Sequence, residues 1–228
     1  MKYNIIKTGS KGNATLIDDF ILIDCGVSFE LLKDFYKKIK IVFITHKHSD
    51  HLNKSCVKKL AELRPTLKFV VCYYLVDILL KCGVKKNNCI VLKVNEWYDF
   101  KAFKCRFDEL SHDVNNVAIH IDINGEKLIY ATDTCTLDNV DAKDYDYYLI
   151  EGNYKEEELK QRKQIKLLNG EYCIEDRIEN THLSYEKCVD YFMRMSKDTS
   201  VLEIMHKHQE EGDKENEWWW KNYGTNDG

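Results

Sequence analysis

One proline, Pro65, and ten glycines are all that 228 residues contain of the usual linker residues, and neither a repeat nor a low-complexity run interrupts the chain. Nothing therefore marks a boundary inside it, and the length is that of one domain. No apolar stretch approaches the roughly 20 residues that span a bilayer, and the N-terminal residues do not read as a signal peptide. No CxxC pair occurs among nine scattered cysteines, an odd number lying mostly in apolar runs. That pattern suits reduced, packed thiols rather than a disulfide framework. Together these absences point to a soluble, cytoplasmic protein with no membrane partner. The net charge of −4 lacks the field to draw a long polyanion by itself, although bound cations would do so locally. GxSxG, P-loop and GxGxxG motifs are missing as well, and no protein nucleophile stands out.

What is present is a core-forming composition, 44% hydrophobic and 32% charged, and one dense motif. Thr45-His46-Lys47-His48-Ser49-Asp50-His51 follows the apolar run 39–44. His46 and His48 are two apart, so extended backbone points them to one side. Asp50 and His51 follow closely enough to serve a second ion. A helical zinc motif would space its histidines four apart. Three of eight histidines within six residues is improbable by chance. The motif therefore reads as a metal-binding loop at a strand end, with imidazole and carboxylate suiting zinc, manganese or iron. Lys47, charged and without a lone pair, takes no metal role.

Apolar runs at 3–6, 14–17 and 20–23 read as strands, with Asp18-Asp19 as a turn between the last two. Helical spacing covers 29–38, 53–63 up to Pro65, and 75–82 up to Gly83. Further strands are expected at 41–44, 67–72, 90–94, 103–110, 117–123, 127–131, 147–150 and 201–205, with Asn124-Gly125 as a hairpin turn. A charged helix at 155–166 precedes an irregular piece to 180, and Ser184 opens a helix to 195 as its N-cap. Two strand groups with interspersed helices predict an α+β protein, its sheets face to face and its helices outside.

Two ions need about seven or eight protein ligands, more than one loop can offer. Three further places supply them, each just past a predicted strand: His112 in Ser111-His112-Asp113, Asp133 in Ala131-Thr132-Asp133-Thr134, and His206. His208 competes with His206, and Asp133 has the alternative of capping a turn.

Thr8-Gly9-Ser10-Lys11-Gly12-Asn13, Ile23-Asp24-Cys25-Gly26, the 46–51 run, Ser111-His112-Asp113, Ala131-Thr132-Asp133-Thr134 and His206 stand in the order of the metallo-β-lactamase superfamily, which the chain resembles from residue 3 to about 208. Within it, Glu151-Gly152-Asn153-Tyr154, Leu159-Lys160-Gln161-Arg162 and Thr181-His182-Leu183-Ser184 look most like the small YycJ/WalJ-type hydrolases. The resemblance implies a four-layer αββα sandwich over residues 1–208, with 209–228 as a polar, Trp-rich tail. It implies two divalent ions, zinc or manganese, at one edge of the sheets. His46, His48 and His112 would hold one ion, Asp50, His51 and His206 the other, and Asp133 would bridge them. Asp24 is expected to orient a loop histidine; a turn-forming role is its alternative.

The implied chemistry is phosphodiester hydrolysis by a hydroxide bridging the two ions, with Asp50 and His182 as catalytic residues. His182 is expected to contact substrate phosphate or protonate the leaving oxygen. Ser184, at a helix start where backbone N–H groups can hold an anion, and Asn13, in a close-approaching glycine loop, are expected to bind substrate. The lead function is a single-strand exonuclease acting on nucleic acid. A cyclic-nucleotide phosphodiesterase, including the viral kind that removes host defence signals, and a catalytically degenerate binding module are the alternatives. Residues 163–180 exceed the short link expected there, and a hairpin that narrows the cleft or contacts a second copy of the chain is expected. Trp218-Trp219-Trp220 would expose a large apolar area unless docked on the domain or on a partner, which raises the expectation of a homodimer.

Overall fold

The computed structural model describes residues 1–207 in twelve strands and six α-helices. In chain order these are β1 (Tyr3–Lys7), β2 (Ala14–Ile17), β3 (Ile21–Ile23), α1 (Phe29–Leu32), β4 (Ile41–Phe43), α2 (Lys54–Leu63), β5 (Lys68–Val71), α3 (Val76–Lys81), β6 (Cys89–Val91) and β7 (Trp97–Asp99). There follow β8 (Lys104–Leu110), β9 (Asn116–Ile123), β10 (Glu126–Ala131), β11 (Tyr147–Glu151), α4 (Glu156–Leu168), α5 (Glu175–Thr181), α6 (Tyr185–Met195) and β12 (Val201–Met205). One sheet runs β1-β2-β3-β4-β5-β6 and the other β12-β11-β10-β9-β8-β7.

Side-chain alternation assigns the faces. Leu16 and Leu22 point outward from the first sheet and pack with Leu32, Val57, Leu60 and Leu79 of α1, α2 and α3. Their neighbours Ile17, Ile21 and Ile23 point inward with Phe43 and Val70, meeting Phe107, Ile119, Ile121, Tyr130 and Leu149 of the second sheet. The outer face of that sheet, including Ile129, Tyr148 and Ile150, is covered by Cys188 and Tyr191 of α6. The layers are thus helix, sheet, sheet, helix, the four-layer sandwich that the resemblance implies.

Strand direction gathers the loops. β3 and β4 pair in parallel. In the second sheet β10, β11 and β12 are parallel, and β8 is antiparallel to β9, which is antiparallel to β10, so β8 runs with β10. The C-terminal ends of β8, β10, β11 and β12 therefore emerge at one edge of that sheet, and every expected ligand beyond the β4 loop follows one of them.

Both turns expected from sequence are present. Asp18 and Asp19 take left-handed φ of 45° and 61° between β2 and β3, and Asn124-Gly125 takes 55° and 90° in the two-residue loop that pairs Ile123 with Glu126. Three segments differ. The helix expected over 29–38 stops at Leu32 and continues as turns, because Phe35 and Tyr36 turn onto the helix-side core and Arg64 takes the carbonyls of Tyr36 and Lys37. β7 was not expected; its register with β8 pairs Trp97 with Arg106. In the irregular piece α4 extends to Leu168, and α5 forms where a hairpin was expected. The 209–228 tail, with Trp218-Trp219-Trp220, lies outside the described residues, as does His208. Among the described residues no helix is long and apolar enough to cross a membrane.

Gly26 fits because it has no side chain: a Cβ there would overlap the carbonyl of Asp50 in the histidine loop, while Asn13 N donates to that same carbonyl at 2.7 Å. Gly26→Ala is expected to lower unfolding stability by about 3 kcal/mol, read as a fall in the urea midpoint.

Candidate metal centre

The histidine loop is built on a buried carboxylate. Asp24 follows β3 in a left-handed conformation, φ 58°, which aims its side chain beneath the loop that leaves β4. Its Oδ1 accepts from Thr45 N and Thr45 Oγ1, both at 2.9 Å. Its Oδ2 lies 2.6 Å from His51 Nδ1 and accepts from Tyr130 Oη at 3.3 Å. A carboxylate holding one imidazole nitrogen leaves the other with its lone pair turned inward, the usual arrangement behind a ligating histidine. The structure thus places Asp24 where it orients His51, a wider role than forming a turn.

Three of the expected ligands converge as nitrogens. His46 Nε2 lies 3.2 Å from His48 Nδ1, which lies 3.4 Å from His112 Nε2. A tetrahedral ion with metal–nitrogen bonds of about 2.0–2.1 Å separates its ligand nitrogens by about 3.3–3.4 Å, so these spacings fit a cation. The outward nitrogens have partners: His46 Nδ1 meets Thr45 Oγ1 at 3.0 Å and His112 Nδ1 meets the carbonyl of Thr181 at 2.8 Å.

Asp50, His51 and His206 form a second group, with Asp50 Oδ2 3.5 Å from both His51 Nε2 and His206 Nε2. Asp133 stands between the two groups. Its Oδ1 is 3.6 Å from His206 Nε2 and 3.8 Å from His112 Nε2, and its Oδ2 is 2.8 Å from His51 Nε2. That last approach is out of line for a hydrogen bond, and the buried Oδ2 has no hydrogen-bond partner. An orphaned carboxylate oxygen among inward-facing imidazoles is what a cation site leaves when described without its ion. Asp133 and His206 both hold left-handed φ, 59° and 51°, a conformation that costs about 1–3 kcal/mol at a non-glycine residue. The His/Asp donor set is compatible with divalent metal ions.

Sequence reasoning assigned no role to Glu151, which the structure puts at the centre of the edge. Fully buried at the end of β11, its Oε1 lies 2.7 Å from His182 Nδ1 and 3.2 Å from His206 Nδ1. Its Oε2 accepts from the backbone N–H groups of Thr134 and Leu183. One carboxylate so joins the loops carrying Asp133, His182 and His206. The signal was available: Glu151 follows the apolar run 147–150, repeating the pattern of strand then ligand. Asn153, also unassigned, donates through Nδ2 to the carbonyl of His206 at 2.9 Å.

Two residues expected to bind substrate do not face solvent. Asn13 is fully buried, accepting from Gly9 N and donating to the carbonyls of Gly9 and Asp50, with Nδ2 2.8 Å from His51 Nε2. Ser184 is equally buried, capping α6 by accepting from Lys187 N and donating to Glu156 at 2.8 Å. Tyr185 N donates to the carbonyl of Tyr154, so two of the first three N–H groups of α6, those of Tyr185 and Lys187, already have partners. Both side chains are thus engaged within the protein, Asn13 with the Gly9 and Asp50 backbone and Ser184 with Lys187 N and Glu156.

Burial pushes His46 well below its ordinary pKa and lowers His112, so both are neutral and ready to ligate. Burial acts the same way on His51 and His206, but carboxylates overcome it. Asp133 and Asp24 hold His51 well above the ordinary imidazole value, and Asp133, Asp50 and Glu151 push His206 up to about 10. In return, against the effect of burial, His51 and His206 hold Asp133 well below the usual carboxylate range.

A family model described as a beta-lactamase superfamily domain matches residues 20–206. Cytidine monophosphate-N-acetylneuraminic acid hydroxylase of Asterias rubens is 30% identical over 112 residues, 46% of this chain but only 17% of that protein. Among solved structures, the metallo-beta-lactamase fold protein YhfI from Bacillus subtilis aligns with a TM-score of 0.69 at 15% identity, covering 91% of this chain and 86% of that one. The short form of human tRNase Z aligns with a TM-score of 0.69 at 14% identity, covering 92% and 93%. Zn(2+)-bound PqqB from Methylobacterium extorquens aligns with a TM-score of 0.56 at 10% identity, covering 92% and 99%.

Raised histidine pKa values mean that at pH 7 the metal-free site holds protons a cation must displace. Addition of Zn²⁺ or Mn²⁺ is expected to release about one to two protons per protein, and affinity is expected to rise with pH. Calorimetry in two buffers of different ionisation enthalpy measures the release; a buffer-independent heat contradicts it.

Proposed function

The chain belongs to the metallo-β-lactamase superfamily, and from that premise we propose that it is a dinuclear metal-dependent phosphodiesterase acting on single-stranded nucleic acid. The observation that carries the reading is the Glu151–His182 pair beside a two-ion ligand set. Two divalent ions, when bound, would supply an activated water and neutralise the charge that builds on the phosphodiester oxygens. The remaining steps belong to the protein.

His182 is the group placed to move a proton. Glu151 Oε1 accepts from its Nδ1 at 2.7 Å, fixing the ring's orientation and tautomer. The ring stacks on His206, centroids 5.4 Å apart at 14°, and lies 5.5 Å from His112, so it overhangs both ligand groups. Its side chain keeps 20% of its exposure, enough for Nε2 to reach a leaving oxygen. His48, 32% exposed, opens the first group to solvent in the same way. Asp50 serves as ligand and as the acceptor near the attacking water. The likeness to a tRNase supports a polynucleotide over a small ester, and the YycJ/WalJ-like motifs favour a single strand.

The test incubates protein loaded with Mn²⁺ or Zn²⁺ with bis-p-nitrophenyl phosphate, 5′-labelled single-stranded DNA and RNA, and cyclic mononucleotides. Turnover of the first two kinds is expected. His182→Ala and Glu151→Gln are expected to lower kcat on nucleic acid by about 10²–10⁴-fold. They should largely spare bis-p-nitrophenyl phosphate, whose leaving oxygen departs without a proton. Turnover of cyclic mononucleotides alone would replace the polynucleotide by the smaller substrate, and no turnover of any would make the chain a binding module.

A further inference from the structure

His48 faces its group through Nδ1, which leaves Nε2 pointing away, and a histidine tautomer is set by what the outward nitrogen meets. For His46, His51, His112 and His206 that partner comes from β-strand loops or a helix end already described. For His48 it is Asp113, whose Oδ1 lies 3.3 Å from His48 Nε2. The same oxygen is 3.3 Å from His112 Nε2. His112, however, donates from Nδ1 to the Thr181 carbonyl, so its Nε2 offers a lone pair and not a proton. Of the two nitrogens facing Asp113, His48 Nε2 is therefore the one free to carry a proton, in charge contact with Oδ1 at 3.3 Å. Asp113 falls in none of the clusters whose ligand atoms all lie within 4.8 Å of one another, so it is not one of the gathered ligands.

Asp113 is itself held from α5. Arg177 Nη2 donates to Asp113 Oδ2 at 2.8 Å, which fixes the carboxylate while Oδ1 turns to His48. Four residues on, the last carbonyl of α5 holds His112. One short helix thus holds one imidazole of the first group directly and reaches a second through Asp113. The segment that carries it is the one longer than the family pattern predicts.

We propose that α5 is a positioning element for the first cation, with Arg177 holding Asp113 against His48 Nε2 so that His48 presents Nδ1. The proposal rests on the metal-site reading above. Neither Arg177 nor Asp113 touches substrate or ion; both act through His48.

Three variants test it: Asp113→Ala, Arg177→Ala and Asp113→Asn, the last keeping an oxygen acceptor. Arg177 is largely exposed, so its truncation leaves no core cavity, and thermal melting verifies that each variant folds. Chelator competition with Zn²⁺ reads stoichiometry and affinity. Asp113→Ala is expected to weaken one of two ions by about 10–100-fold, Arg177→Ala to act in the same direction less strongly, and Asp113→Asn to recover most of the loss. A long-range ¹H–¹⁵N spectrum of the metal-free protein at about pH 8, where an unperturbed imidazole is neutral, reads the tautomer directly. His48 is expected as the Nε2–H form in the wild type and as a mixture in Asp113→Ala. If the wild type binds two ions and all variants match it with the tautomer unchanged, the positioning role is wrong while the metal site stands. If the wild type binds no ion, the metal site is wrong and the tautomer spectrum alone decides the role of Asp113.

Discussion

Three buried carboxylates on one edge of the sandwich set the terms for everything near them. Asp24 and Glu151 are fully buried and Asp133 almost so, and an unpaired charge in such surroundings costs several kcal/mol. Each is answered by imidazole: Asp24 and Asp133 by His51, Asp133 and Glu151 by His206, and Glu151 by His182. Six of the chain's eight histidines lie at this edge. Without positive charge the edge could not fold as it does, and protons and divalent ions are interchangeable sources of that charge.

The sandwich turns that constraint into a site by direction rather than by any special loop. Four strands of the second sheet run the same way, so their C-terminal ends lie at one edge, and the β4 loop of the first sheet faces them across the core. Left-handed backbone at Asp24, Asp133 and His206 then aims side chains inward where an ordinary strand exit would carry them past. That strain is held in place by the hydrogen bonds of Thr45, Asn153 and Glu151.

Much of this was legible beforehand, for identifiable reasons. The 46–51 run stands out because three imidazoles and a carboxylate fall within six residues, and His112, Asp133 and His206 because each follows an apolar strand; the structure gathers all seven at one edge. The turns at 18–19 and 124–125 were readable from residues that tolerate positive φ. Glu151 escaped because a lone acid after a strand is as readily a cap, a turn former or a solvated charge, and its histidine partners lie 31 and 55 positions away. The burial of Asn13 and Ser184 was illegible for the opposite reason: polar residues beside glycine or a helix start look solvent-facing in sequence, and only packing bonds their atoms to backbone and to Glu156. β7 and α5 carry weak periodicity, and only pairing with β8 and contact with the site rim give them shape.

The contact between His51 of one sheet's loop and Asp133 of the other's is also a mechanical join between the two halves of the molecule. Selection acting on chemistry at this edge cannot leave cohesion untouched, because the same atoms serve both. Substitutions recovered from a population for loss of activity should therefore overlap with those that reduce how much intact protein a cell accumulates. Functional drift on this scaffold is thereby steered toward the exposed rim, where residues change without loosening the seam.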